Sequence, residues 1–476
     1  MVVAAGMTAT LSSNAQTAGS LDTTFHTGMG FNDPDVLTIS IQADGKLIVG
    51  GHFVKYNNVS NRYIVRLNAD GSADPGFNTG DFVKSTLIDA SAIQSDGKII
   101  IAGESSSTAN RLKGIARLNT DGSVDNTFDV GTGTDDDVYA VAIQSDGKVI
   151  IGGEFTSYNG TSVNRIARLN TDGSLDNSFT VGAWTANSQI RVLEIQPDGK
   201  ILAGGKDVQH FGTDSIAGIA RLNTDGSLDN TFKVFVGGRV SAIKVLPNDQ
   251  IVIGGDFSAV GNDAGSPITA HNIARVNANG GVDPTFAVGF TEVNNDDEVK
   301  SILIQPDGKL IVAGQFMSYN NTTTANSIAR LNADGSLDNT FSSGAGAQGQ
   351  YPEINTAVLQ PDGKIVIGGY FVGYDSVGVF AIARLNNTTG ASSGIEKLSM
   401  STNQVAVYPN PANEIVTLVI SDNEQIETIH VYSMIGQNAA VNRNGKTLDV
   451  SKLPNGAYFV VIKTAKGAST AKFLKN

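Results

Sequence analysis

One block, IQSDGKVIIGGEFTSYNG followed by NRIARLNTDGSLDNSF and running from Ile143 to Phe179, recurs seven times along the 476 residues. Its Asp-Gly-Lys turn falls at Gly45, Gly97, Gly147, Gly199, Gly308 and Gly363, and a degenerate copy, Asn248-Asp249-Gln250, fills the remaining gap. The spacing is 50–59 residues, the period of a propeller or solenoid. One such unit cannot bury its own apolar face, so neighbours must stack.

The phase of the repeat selects between those two. Each copy reads strand, Asp-Gly-Lys, Gly-Gly strand, variable loop, Ile-Ala-Arg-Leu-Asn and Ser-Leu-Asp-x-x-Phe. The chain opens on that last element, Ser20 to Phe25, before any complete copy, and the seventh copy ends at Asn386 without one. A ring can use the leading segment to complete its last blade, whereas an open array leaves both edges unpaired. The expected fold is all-β: a seven-bladed β-propeller over residues 19–390, closed by its N-terminal segment.

Within a blade, Lys148 to Phe155 is apolar on both faces, as for a sheet stacked between two others. The paired glycines predict close backbone approach or a bulge. Asp-Gly is a tight-turn signal, and the repeat length accommodates four short strands. Cysteine is absent, which removes disulfides and thiolate chemistry. The net charge of −13 argues against a nucleic-acid partner, and no run approaches the ~20 apolar residues of a spanning helix. Residues 1–18 read as a degenerate signal peptide or a disordered leader.

An arginine and an aspartate recur in every copy, and their alternation places the arginine between blades. A buried guanidinium requires a partner, so a structural pair is expected in each blade, including Arg168–Asp176 and, across the closure, Arg384–Asp22. Function is expected where the copies disagree. The residue after Gly-Gly varies (His52, Glu104, Glu154, Lys206, Asp256, Gln315 and Tyr370), and one position on the first strand differs in every copy: Leu37, Asp89, Tyr139, Arg191, Ser241, Lys300 and Asn355. The first strand of a propeller blade lines the channel, so Asp89, Tyr139, Arg191, Lys300 and Asn355, with Trp184 from a loop, are the candidate ligand-binding residues. Asp135-Asp136-Asp137 and Asp296-Asp297-Glu298 offer hard oxygen ligands outside any EF-hand spacing, so calcium is possible and unsupported, and no cofactor is expected. The histidines form no HExxH motif.

Beyond a Ser-rich linker (residues 391–402), residues 403–476 carry no copy of the repeat and read as a small Ig-like β-sandwich with Pro-Asn and Asn-Gly turns. The run Tyr408-Pro409-Asn410-Pro411-Ala412-Asn413, the segment LDVSKLPNGAYFVVI with Gly456 and Tyr458, and the Lys-rich end resemble the type A C-terminal sorting domain of the type IX secretion system of Bacteroidetes. The repeats resemble the delta-60 repeat family. The first resemblance implies export through the outer-membrane translocon and its processing components, followed by release or attachment at the cell surface. The expected function is therefore a secreted or surface-displayed binding or adhesion module with a glycan or protein ligand. The alternatives are an extracellular propeller glycosidase or lyase and a ligand-free scaffold.

Overall fold

The computed structural model describes residues 17–475 apart from 34, 81–86, 107–111, 186, 212–213, 263–266, 287–296, 320–325, 388–405, 410–411, 420–425, 434–438, 440 and 465–466. Most of the expected leader and the whole expected linker lie outside the described residues. The chain divides into two compact units, Met1–Thr389 and Gly390–Asn476.

In the first unit, each repeat folds into one blade. Blade 3 is representative: Val138–Ile143, Val149–Gly153 and Ile166–Leu169 form an antiparallel ladder around the Asp-Gly turn. The fourth strand expected from repeat length is reduced to a single bridge between Leu169 and Leu175. Asp176 explains why. Its carboxylate accepts the Ser178 N–H at 3.0 Å, and this Asx turn bends the chain away before a ladder can extend.

The inner strands of the seven blades are Asp35–Ile41, Ile88–Ile93, Val138–Ile143, Gln189–Ile195, Phe235–Val245, Glu298–Ile304 and Glu353–Leu359. Each packs on the next, and the last packs on the first, so the sheet stack is a closed ring. The cores lie between blades. At the closure, Val366 and Ile382 of blade 7 are buried with Val36, Ile39 and Val49 of blade 1. The leading segment completes blade 7: Leu21 bridges Leu385, the Asp22 N–H donates to Arg384 O at 2.7 Å, and the Asn386 N–H donates to Ser20 O at 2.9 Å.

One polar cluster repeats round the rim. Each repeat aspartate accepts from the arginine of its blade at 2.7–2.8 Å, from Arg66–Asp74 through Arg168–Asp176 to Arg384–Asp22. The lysine of Asp-Gly-Lys adds a second cation on the same oxygen, as in Lys148–Asp176 at 2.7 Å, and Gln250 replaces it at Asp283. The guanidinium lies 4.7–5.1 Å over the repeat phenylalanine, a cation–π contact. Its Nη1 reaches a carbonyl of the following blade. Arg117 bonds Thr171 O at 2.7 Å, Arg168 bonds Thr224 O at 2.6 Å, and Arg384 bonds Ala69 O of blade 1 at 2.7 Å. The last of these closes the circuit.

The second unit packs a four-stranded sheet containing Ala406–Tyr408 and Ile415–Val419 against a three-stranded sheet built on the hairpin Gly456–Thr464 and Gly467–Lys475. Val416, Leu418, Leu448, Val460, Ile462 and Phe473 form its core.

Two outcomes follow from the clusters. Arg384→Met leaves the buried Asp22 carboxylate short of its guanidinium and is expected to cost about 3–5 kcal/mol in chemical denaturation. Asp22→Asn combined with Arg384→Met, which removes both charges, should recover part of that loss. Burial would raise Asp22, but hydrogen bonds from Lys364 and Thr24 and the charge of Arg384 hold its carboxyl at about 2. A depressed value stabilises the fold above the unfolded value near 3.8 and is lost as pH falls through about 2. Calorimetry should therefore show the melting temperature falling between about pH 4 and pH 2, with a smaller drop in the double variant.

Candidate functional site

The seven variable positions on the inner strands share one backbone feature. Val36 pairs with Gly51 and Thr38 with Gly50, which leaves Leu37 unpaired in a β-bulge. The same register shift isolates Asp89, Tyr139, Arg191, Ser241, Lys300 and Asn355. The glycine opposite the bulge, preceded by a second glycine in five blades and by alanine in two, makes this possible. A Cβ on Gly369 would sit 2.1 Å from Glu353 O, on the strand that bulges, and one on Gly368 would sit 2.5 Å from Val36 Cγ1 of the next blade. A bulge re-aims the residue it displaces, so each blade presents one non-repeating side chain from the same place on its inner strand.

Two further rings accompany the bulges in the same ladders. Asp35 pairs with His52, Gln189 with Lys206, Arg239 with Asp256, and Glu353 with Tyr370. The groups interlock between blades 3 and 4, and again from blade 5 through blades 6 and 7 to blade 1. Arg191 lies 4.6 Å over the Tyr139 ring, and Tyr139 Oη donates to Glu154 at 2.9 Å. Arg239 reaches Glu298 at 3.0 Å. Lys300 bonds Glu353 at 2.6 Å and Asn355 at 3.0 Å, and Asn355 donates to Asp35 at 3.1 Å. Five of the six expected ligand-binding residues thus belong to one bulge ring. Blades 1 to 3 hold the carboxylates Asp35, Asp89, Glu104 and Asp137. Burial, with Asp137 close by, pushes Asp89 up to about 7 against the pull of Arg191. Burial and Glu353 raise Asp35.

Trp184 is placed differently. It is buried in the blade 4 core and meets Phe211 edge to face at 5.0 Å, because the ring needs more apolar contact than a surface loop supplies. The Asp135-Asp136-Asp137 run is occupied with local backbone. Asp135 accepts from Thr156 and Ser157, Asp136 from the Asp137 N–H, and Asp137 from Ser105. Asn294 to Asp296 lie outside the described residues. No group of three or more metal-ligating side chains forms among the described residues.

In the second unit, Tyr408 ends a strand paired to Thr417, and Pro409 is exposed, whereas Asn410 and Pro411 lie outside the described residues. Gly456 opens the long hairpin opposite Lys475. Tyr458 is buried, stacks on Phe473 at 5.5 Å and donates to Pro454 O at 2.9 Å. Both hold the sandwich together.

A family model described as a domain of unknown function (DUF5122) beta-propeller matches residues 42–77, 94–128, 144–179, 196–232, 246–286, 305–341 and 360–390, together more than half of the chain. The chain belongs to the DUF5122 beta-propeller family. A second model, a secretion system C-terminal sorting domain, matches residues 406–476. This DUF5122 propeller is therefore cargo of the type IX secretion system, exported to the cell surface or beyond. Comparison with curated proteins returned no match. Among solved structures it is similar to PorZ, an essential surface component of the type-IX secretion system of Porphyromonas gingivalis, at 14% identity and a TM-score of 0.42, covering 94% of this chain and 60% of PorZ. It is also similar to the extracellular domain of BT4673 from B. thetaiotaomicron, at 11% identity and a TM-score of 0.47, covering 97% of this chain and 60% of that one. The chain thus spans about 60% of the length of both structures.

Sequence reasoning missed Arg239 and Glu353, two positions before their bulges, and read Glu298, at the same place in blade 6, only as an oxygen ligand, whereas it pairs with Arg239. The Asp89 shift gives a test. A folded value near 7 lies above the ordinary 3.8, so the folded state binds the proton more tightly and stability falls as pH rises from about 4 to about 7. Asp89→Asn should raise the melting temperature by a few degrees near pH 8 and leave it unchanged near pH 4.

Proposed function

We propose that the propeller is an extracellular binding or adhesion module whose contact face is the bulge ring and the apolar surface beside it. The observation that carries this reading is a division of labour: repeated residues are consumed in stacking, and unlike residues occupy the bulges. Beside them, blades 7 and 1 leave Tyr351, Tyr370, Val372, Val377, Phe380 and Met29 exposed, Tyr351 at 68%. Phe380 abuts Gly30 across the closure, so the surface bridges the two blades. Exposed apolar groups gathered in this way favour an interaction surface over a solvated rim. Tyr351→Ser with Tyr370→Ser is expected to weaken adhesion of the full chain to glycan- and protein-coated surfaces at least tenfold, with melting temperature unchanged. Undiminished adhesion would remove the face from consideration.

A hydrolase or lyase is the second reading, and it draws on Asp89. A carboxyl near 7 facing a second carboxylate resembles the acid of a glycosidase pair. Reducing-sugar release near pH 6 that disappears in Asp89→Asn would establish it.

A further inference from the structure

The connector into blade 5 is shorter than its counterparts. Residues 233–238 join Phe232 to Arg239, against 26–34, 180–188 and 342–352 at the corresponding places in blades 1, 4 and 7. It runs as the start of the inner strand, paired from Phe235 with Gly261, and does not loop over the seam with blade 4. A cleft of about 1220 Å³ is left open there, from Lys206 and Arg239 in the rings beside the bulges to Asn230 and Lys233 on the outer segment.

The lining is rich in groups that donate and accept. Gln209, Asn230, Ser258 and Asn262 stand exposed along it, and Phe235 is partly exposed. Arg239 bonds Glu298 and Asp256 through Nη2, yet its buried Nε–H has no acceptor among the described residues. The exposed side-chain amides and hydroxyl along the wall favour a ligand whose own groups both donate and accept. The strand edge is not free for a peptide, because the Val236 N–H already donates to Ala217 O at 3.1 Å and Ala217 bridges Phe235. Nor does charge select a polyanion: Lys206, Lys233 and Arg239 share the cleft with Asp207 and Asp256, in a chain of net charge −13.

We propose that this cleft binds a linear, uncharged oligosaccharide lying along the seam from the bulge ring to the rim. The proposal rests on the binding reading above and names its ligand class and place. Isothermal titration of the full chain with cellohexaose, xylohexaose, mannohexaose and laminarihexaose should find at least one that binds, with an alginate hexasaccharide binding more weakly. Gly237 lines the cleft, and a Cβ there meets its nearest atom at 3.4 Å, ordinary contact, so Gly237→Trp fills the cleft without displacing backbone. It should weaken binding at least tenfold, and Gln209→Ala, an exposed site, about threefold.

Full binding by both variants, with loss in the Tyr351→Ser, Tyr370→Ser protein, would overturn the cleft and leave the binding module standing. Preference for alginate would overturn the uncharged class. No binding of any hexasaccharide would overturn the cleft assignment, and the adhesion measurement then decides the broader reading on its own.

Discussion

A carboxylate taken out of water must be neutralised, and the propeller depends on how it does this seven times. Each repeat aspartate is met by an arginine, by a lysine or Gln250, and by the backbone N–H of its own Asx turn. Such a cluster is unforgiving, because loss of one partner leaves the others as buried, uncompensated charge. It is also directional. The arginine that satisfies the aspartate of one blade spends its other nitrogen on a carbonyl of the next, so local satisfaction and blade order are the same requirement.

The apolar packing follows that order. Inner strands stack face to face, and each core is shared between neighbours, so no blade has a complete core by itself. Glycine pairs tighten this arrangement. The first glycine, alanine in blades 2 and 6, admits the side chain of the neighbouring inner strand, and the second admits the carbonyl two residues before the bulge. The bulge is therefore built by the same residues that bring blades together, and the variable side chains inherit a fixed place from conserved packing.

That placement separates two kinds of position in one repeat. Arg, Asp and Phe have the same neighbours in every blade, Lys in six of the seven, and all are spent on architecture. The bulge residues have different neighbours in each blade, and they form mixed pairs such as Arg191 over Tyr139 and Lys300 with Asn355. The break in symmetry at blade 5 adds a cleft, and the exposed groups on blades 7 and 1 add an apolar surface.

Repeat period, phase and hydrophobic alternation determined the blade number, the closure by Ser20 to Phe25 and the Arg384–Asp22 pair, because a buried charge and an unpaired edge each admit few solutions. The YPNPAN and PNGAY runs determined the export domain. The sequence overestimated the outer strand, because an Asx turn competes with a ladder only once Arg168 holds Asp176 in place. It also put Trp184 among the ligand residues, where the fold buries it against Phe211. Tertiary structure alone decided which variable residues meet, how far Asp89 shifts and where a cleft opens. These depend on distances between blades that lie a whole repeat or more apart in the chain, and no local pattern encodes such a distance.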